Sequence, residues 1–178
     1  MSSRITTLSA AIASALFASA ASADVTVYGK ANVGLFNIED EWELTSNASR
    51  VGFKGDYTIN DELTAIYKME YQVNIDDGDK DGQTFTQRNI YAGLKGSWGQ
   101  VIAGKFDTSL KEAQGKIDRF NDMPAGDIKN VFVGENRMSN SVRYTTPKMG
   151  CFSAQIQPIL ETDESSFSAS ANVDCSGF

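Results

Sequence analysis

The sequence predicts an all-β fold, a transmembrane antiparallel β-barrel, and three observations predict it. Segments of about seven to twelve residues alternate apolar and polar side chains, the period of half-buried strands. The connections between them alternate in length, short and then long. A 31-residue segment, Asp107–Arg137, breaks the period of two and carries Gly115, Pro124, Gly126 and Gly134 as breakers. Long connections without regular structure are uncommon and usually functional, so this one is expected to fold into the lumen and narrow it.

Residues 1–23 are expected to lie outside the fold, as a signal peptide. They hold one positive charge (Arg4), an apolar run with Ile12, Leu16 and Phe17, and Ala21-Ser22-Ala23, an A-x-A pattern cut before Asp24. The stretch is short and rich in Ser and Ala, with no stop-transfer flank, which argues against an anchor helix. Residues 24–178 then form one domain.

Val25–Phe36 alternates, with Val25, Val27, Ala31, Val33 and Leu35 on one face and Thr26, Tyr28, Lys30 and Asn32 on the other. The polar, acidic stretch 37–49 reads as a loop. Arg50–Ile59 points Val51, Phe53, Tyr57 and Ile59 one way, and Arg50, Lys54, Asp56 and Thr58 the other. A turn at Asn60-Asp61-Glu62 leads into Leu63–Asn74, where only Ile66 breaks the phase. Together these two strands make the clearest hairpin of the chain.

The next loop, 75–87, contains Asp77-Gly-Asp79-Lys-Asp81-Gly82, the first half of a calcium-loop pattern. The twelfth position, a Glu in such loops, is Arg88, and no helix pattern flanks it, so a solvated acidic loop is the reading. Arg88–Lys95 and Gln100–Phe106 form a second hairpin around 96–99. After the long segment, Ser141–Thr146, Cys151–Gln157 and Phe167–Val173 alternate, separated by a turn at 146–150 and a loop at 158–166. Residues 174–177 read as a last turn. Eight strands result.

A soluble sandwich has no reason to gather its long loops at one end, whereas an outer-membrane barrel has short periplasmic turns and long outer loops. The strands have the length a tilted membrane strand needs, and Phe36, Tyr57 and Tyr71 lie near strand ends, where aromatic girdles sit. A net charge of −7 argues against nucleic acid as a partner. The chain has no His, which removes His-based triads and His-ligated metals. No enzyme, cofactor or metal site is expected.

Four motifs carry a family resemblance: Val27–Lys30 (VYGK), Ser49–Gly55 (SRVGFKG), Arg88–Leu94 (RNIYAGL) and Asn140–Tyr144 (NSVRY). With these in this order, the chain from Asp24 onward resembles the general trimeric porins of the Gram-negative outer membrane. The resemblance implies a sixteen-stranded barrel of which this chain is the N-terminal half. It implies a homotrimer in outer-membrane lipid, whose water-filled channels pass small hydrophilic solutes and ions by passive diffusion. The turn at Asp174–Gly177 places Phe178 at the start of a ninth strand. The chain by itself is therefore expected not to form a stable pore, since open sheet edges in lipid leave backbone groups unsatisfied.

The resemblance also implies a constriction, with basic wall residues facing an acidic third loop. Carried over by motif, the basic side is Lys30, Arg50, Lys105 and Arg137; the acidic side is Asp122 with Asp127 nearby. Lys30, Arg50 and the wall residue Glu70 fall on the polar phase by alternation alone. Where relatives have a Pro-Glu-Phe-Gly-Gly-Asp stretch, this chain reads Pro124-Ala-Gly-Asp127, so one acid is lost or displaced. Cys151 and Cys175 fall at the periplasmic ends of neighbouring strands, as a disulfide in that oxidising compartment or as two free thiols. The alternative function is a small eight-stranded barrel with a structural or adhesive role. The 31-residue segment opposes it, because so narrow a barrel is filled by side chains.

Overall fold

The computed structural model describes residues 24–38, 40–76, 83–115, 117–123, 126–132, 134–161 and 165–175. The expected signal peptide and the acidic pattern at 77–82 lie outside the described residues. Among the described residues ten strands form: β1 (Asp24–Lys30), β2 (Val33–Ile38), β3 (Glu41–Ser46), β4 (Arg50–Asn60), β5 (Leu63–Val73), β6 (Phe85–Gly96), β7 (Gly99–Asp107), β8 (Arg137–Thr145), β9 (Phe152–Ile159) and β10 (Ser166–Val173).

Eight of them make one antiparallel sheet in the order β1-β4-β5-β6-β7-β8-β9-β10, and β2 and β3 pair separately. β1 pairs with β4 and β10 with β9, so the described strands form an open wall and not a closed eight-stranded barrel. That geometry removes the small-barrel alternative.

The first long loop departs from expectation. The alternation of Val25–Phe36 spans two strands, and the stretch read as loop contains β3, which folds back on β2 with Leu35 opposite Leu44. The polarity of Glu41–Ser46 hid it, because a hairpin standing clear of the main sheet needs no fully apolar face.

Alternation sorts the wall into two faces. One outward row runs in register through Val27, Phe53, Met69 and Ile90. The concave row beside it runs through Thr26, Lys54, Lys68 and Tyr91. Large apolar side chains on the outward face stay exposed, among them Val27, Phe53, Met69, Ile156 and Phe167. Among the described residues the buried apolar side chains are only Ile102, Phe106 and Ile159, whereas Glu70, Asp127, Glu135, Arg143 and Gln157 are buried. A water-soluble domain distributes these the other way round. A barrel wall with an apolar outer face and polar groups inside has this distribution.

Aromatic pairs mark both rims of the outward face. Trp98 stacks on Tyr144 beside the short turns, and Tyr71 meets Phe85 edge-on toward the long loops. The Tyr144 hydroxyl donates to the Trp98 carbonyl at 2.8 Å, leaving an apolar body and a polar tip at the boundary.

Candidate functional site

The segment after β7 packs against the concave face. It is more ordered than its sequence suggested: a one-turn helix, α1 (Ser109–Ala113), and a short 3-10 turn (Ile128–Asn130) break it up. Thr108 caps α1, accepting from the Lys111 amide at 3.2 Å and donating to the Gly134 carbonyl at 2.9 Å. The latter bond and that from the Thr108 amide to the Asn136 carbonyl draw the two stems together.

The base of the loop is fixed to the far side of the wall. The Ser109 amide donates to Gln157 on β9 at 2.9 Å, and the Leu110 amide to Ser168 on β10 at 3.2 Å. Arg143 on β8 pairs with Glu112 at 2.8 Å and lies over the Phe106 ring. Buried Ile102 and Phe106 lie on this side, so the loop has a small core of its own.

The tip of the loop reaches the near side of the wall. Asp122, at a backbone φ of 69°, accepts from Lys30 at 2.9 Å and from Arg50 at 2.8 Å through the same carboxylate oxygen. Among the described residues Asp127 forms no ion pair with the wall, its basic partner being Lys129 of the same loop. Its carboxylate caps the 3-10 turn through the Lys129 amide and accepts from the Asp122 amide at 3.2 Å, so it shapes the turn that presents Asp122. Burial alone would raise the Asp127 carboxyl; these hydrogen bonds and the Lys129 ammonium outweigh it and hold it below the ordinary aspartate range.

Beneath Asp122, Glu70 is the buried centre of the wall charges. It accepts from the Tyr28 hydroxyl at 2.8 Å and Arg88 at 2.9 Å, with Lys68 at 3.3 Å and Arg50 at 4.0 Å. Arg137 lies nearby but answers a different acid, pairing with Asp107 at 2.9 Å and donating to Asn89. It shares with Arg88, Gln72, Asp122 and Asp127 the lining of a cavity of about 410 Å³ between the loop and the wall. The structure thus brings together Lys30, Arg50, Glu70, Asp122 and, at the margin, Arg137 and Asp127.

Lys105 is a correction. It stands in register with Ile90, on the row of Val27, Phe53 and Met69, and so on the outward face. The motif placed it in the lumen; the parity it shares with Val101 and Ala103 would have placed it outside. Beside it the pairing shifts between Gly104 and Phe106 with the extra residue on β8, so β7 keeps its phase and Phe106 shares the inward face of Ile102.

Sequence reasoning missed four members of the site. Tyr28 and Lys68 carried a usable signal, since both fall on the polar phase. Arg88 and Asp107 carried none. The pairing of β5 with β6 shifts between Met69 and Tyr71, with the extra residue on β6 next to Arg88, and that of β7 with β8 shifts just before Asp107, so simple alternation does not assign a face there.

Asp118, Asp127 and Glu135 offer carboxylate oxygens within 4.8 Å of one another, the nearest approach to a metal-ligand set among the described residues. Each has another partner. Asp118 accepts from the Phe120 and Ile128 amides, Asp127 from those of Asp122 and Lys129, and Glu135 lies 2.7 Å from Lys111. Cys151 and Cys175 stand as a disulfide, joining the start of β9 to the end of β10 with Cα atoms 4.8 Å apart.

A family model described as Gram-negative porin matches residues 7–177. The major outer membrane protein P.IB of Neisseria sicca is 31% identical over 158 residues, which cover 78% of this chain and 42% of that protein. The solved anion-selective porin from Comamonas acidovorans superposes with a TM-score of 0.62 at 20% identity, covering 80% of this chain and 48% of that one. The trimer form of OmpT from Vibrio cholerae gives 0.63 at 21% identity, covering 80% and 43%. At such identities the structural likeness shows the fold. The chain spans about half the length of the curated relatives it matches.

Proposed function

Because the chain belongs to the Gram-negative porin family, whose relatives are major outer membrane proteins, we propose that it builds wall and constriction of an outer-membrane diffusion channel. The observation that carries this reading is the double tie of Asp122 to Lys30 and Arg50, which holds the inward-folded loop across the concave face. Opposed charges across a water-filled neck set up a transverse field, and the loop position sets the size limit. Small hydrophilic solutes and ions then pass by diffusion, with no conformational work. Basic side chains outnumber carboxylates around the neck: Lys30, Arg50, Lys68, Arg88 and Arg137 face Glu70, Asp107 and Asp122. A homotrimer surrounded by outer-membrane lipid is the assembly we infer, in line with the trimer form of the Vibrio cholerae relative.

The test is reconstitution of the outer-membrane protein, as the cell makes it, into planar bilayers and liposomes. Steady ohmic steps and entry of small sugars but not of large ones are expected. Closed bilayers, or steps whose size ignores substitutions at Asp122, would overturn the reading.

A further inference from the structure

We propose that Lys54 and Lys68 form a station for small oxyanions on the concave wall, one register row from Glu70, and that inorganic phosphate is held there briefly in transit. This rests on the channel reading and names a solute class for it.

The two lysines are register partners on β4 and β5 and share the concave face. Side chains directly opposite on one face of an antiparallel pair begin only about 5 Å apart, and like charges so placed destabilise the pair. Nothing in the packing requires two cations there, because Lys54 is exposed to the lumen. Both ammonium groups lie over the ring of Tyr28, at 6.0 Å for Lys54 and 5.7 Å for Lys68, so the two cations share one aromatic ring.

Neighbouring acids neutralise the pair only in part: Lys68 lies 3.3 Å from the Glu70 carboxylate. Glu70, the carboxylate nearest Lys68, is already shared with Arg88 and the Tyr28 hydroxyl. Among the described residues no carboxylate forms an ion pair with Lys54. Asp56, next along its strand face, is held by Lys95 at 2.8 Å, although Asp24 opposite it adds one acid at the end of the row. Beside Lys54 a cavity of about 360 Å³ opens, whose lining includes the donors of Lys54, Lys95, Tyr91 and Gln100 together with the carboxylates of Asp24 and Asp56. An oxyanion between the two lysines relieves their repulsion, which a cation or a neutral sugar cannot do. Because the site faces water and one acid row lies close by, its hold is weak, as conduction requires.

The experiment records single-channel chloride current through the reconstituted outer-membrane protein while inorganic phosphate is added. The unaltered channel is expected to show a saturating fall in chloride current. Lys54→Gln and Lys68→Gln should each raise the half-effect phosphate concentration about threefold or more, the scale of one partly screened charge. Lys54→Arg should restore it. Lys148→Gln removes a lysine paired with Asp174 in a turn, away from the station, and should change nothing. Open channels whose phosphate response is the same in Lys54→Gln, or shifts equally in Lys148→Gln, would overturn the station and leave the channel reading intact. An absence of channels in the unaltered protein would overturn both.

Discussion

Tyr28 and Glu70 touch across an intervening strand. They stand in register with Gly52 on β4, and the Tyr28 hydroxyl crosses that glycine to reach the Glu70 carboxylate at 2.8 Å. The crossing needs a residue without Cβ: one built at Gly52 would meet the Tyr28 ring and hydroxyl at 2.7 Å and the Met69 carbonyl at 2.9 Å. Gly52→Ala is therefore expected to displace Tyr28 and destabilise the wall by about 1–3 kcal/mol, the usual cost of overpacking. Tyr28→Phe should cost only about 1 kcal/mol, since Arg88 still answers Glu70. Heat-dependent gel mobility of the folded protein measures both, and equal losses would contradict the role given to Gly52.

The two ties on Asp122 are unequal. Arg50 is 20% exposed and Lys30 44%, so water and salt weaken the lysine more. Lys30→Gln should change loop-dependent current noise at 0.1 M salt and lose that effect at 1 M, where screening acts within about 3 Å. Arg50→Gln should raise the noise at both salt concentrations. Identical salt dependence in the two variants would count against this ordering.

Acid should loosen the loop through Asp127. Its carboxyl is held below the ordinary range in the folded protein, so the unfolded loop binds protons more readily. Its stabilising contribution is fully present above the unfolded value of about 3.9 and is lost as pH falls through the lower folded value. Channel noise is expected to stay flat down to about pH 4 and to rise below it. Asp127→Asn, which keeps one acceptor oxygen, should show raised noise at neutral pH and a weaker acid response. A channel equally quiet at pH 3 and pH 7 would refute this assignment.

The Cys151–Cys175 pair closes a loop with a sequence separation of 24. Chain-entropy reasoning gives such a bridge about 3 kcal/mol. Thiol counting on the denatured, unreduced protein should find none of the two cysteines free, and reduction should lower the unfolding midpoint. Two free thiols per chain would remove the bridge.

Much of the site was legible because a strand has a period of two. Lys30, Arg50 and Glu70 fell on the concave phase from alternation alone, and the structure joins Lys30 and Arg50 through Asp122. Lys105 shows the opposite lesson, since a motif placed it where its own parity with Val101 and Ala103 did not.

The sequence by itself determined the strand rhythm, the outward apolar and inward polar faces, and the loop that must go inside. Those follow from local alternation and from the segregation of long connections to one end, and neither depends on distant contacts. Only the tertiary structure decided which charges meet. Asp122 is 92 residues from Lys30 and 72 from Arg50, and loop packing against β8, β9 and β10 sets its reach. A register shift between β5 and β6, with the extra residue on β6, decided the face of Arg88. A bulge moves the phase by one residue, and its place is set by pairing with the next strand, which no single segment of sequence contains.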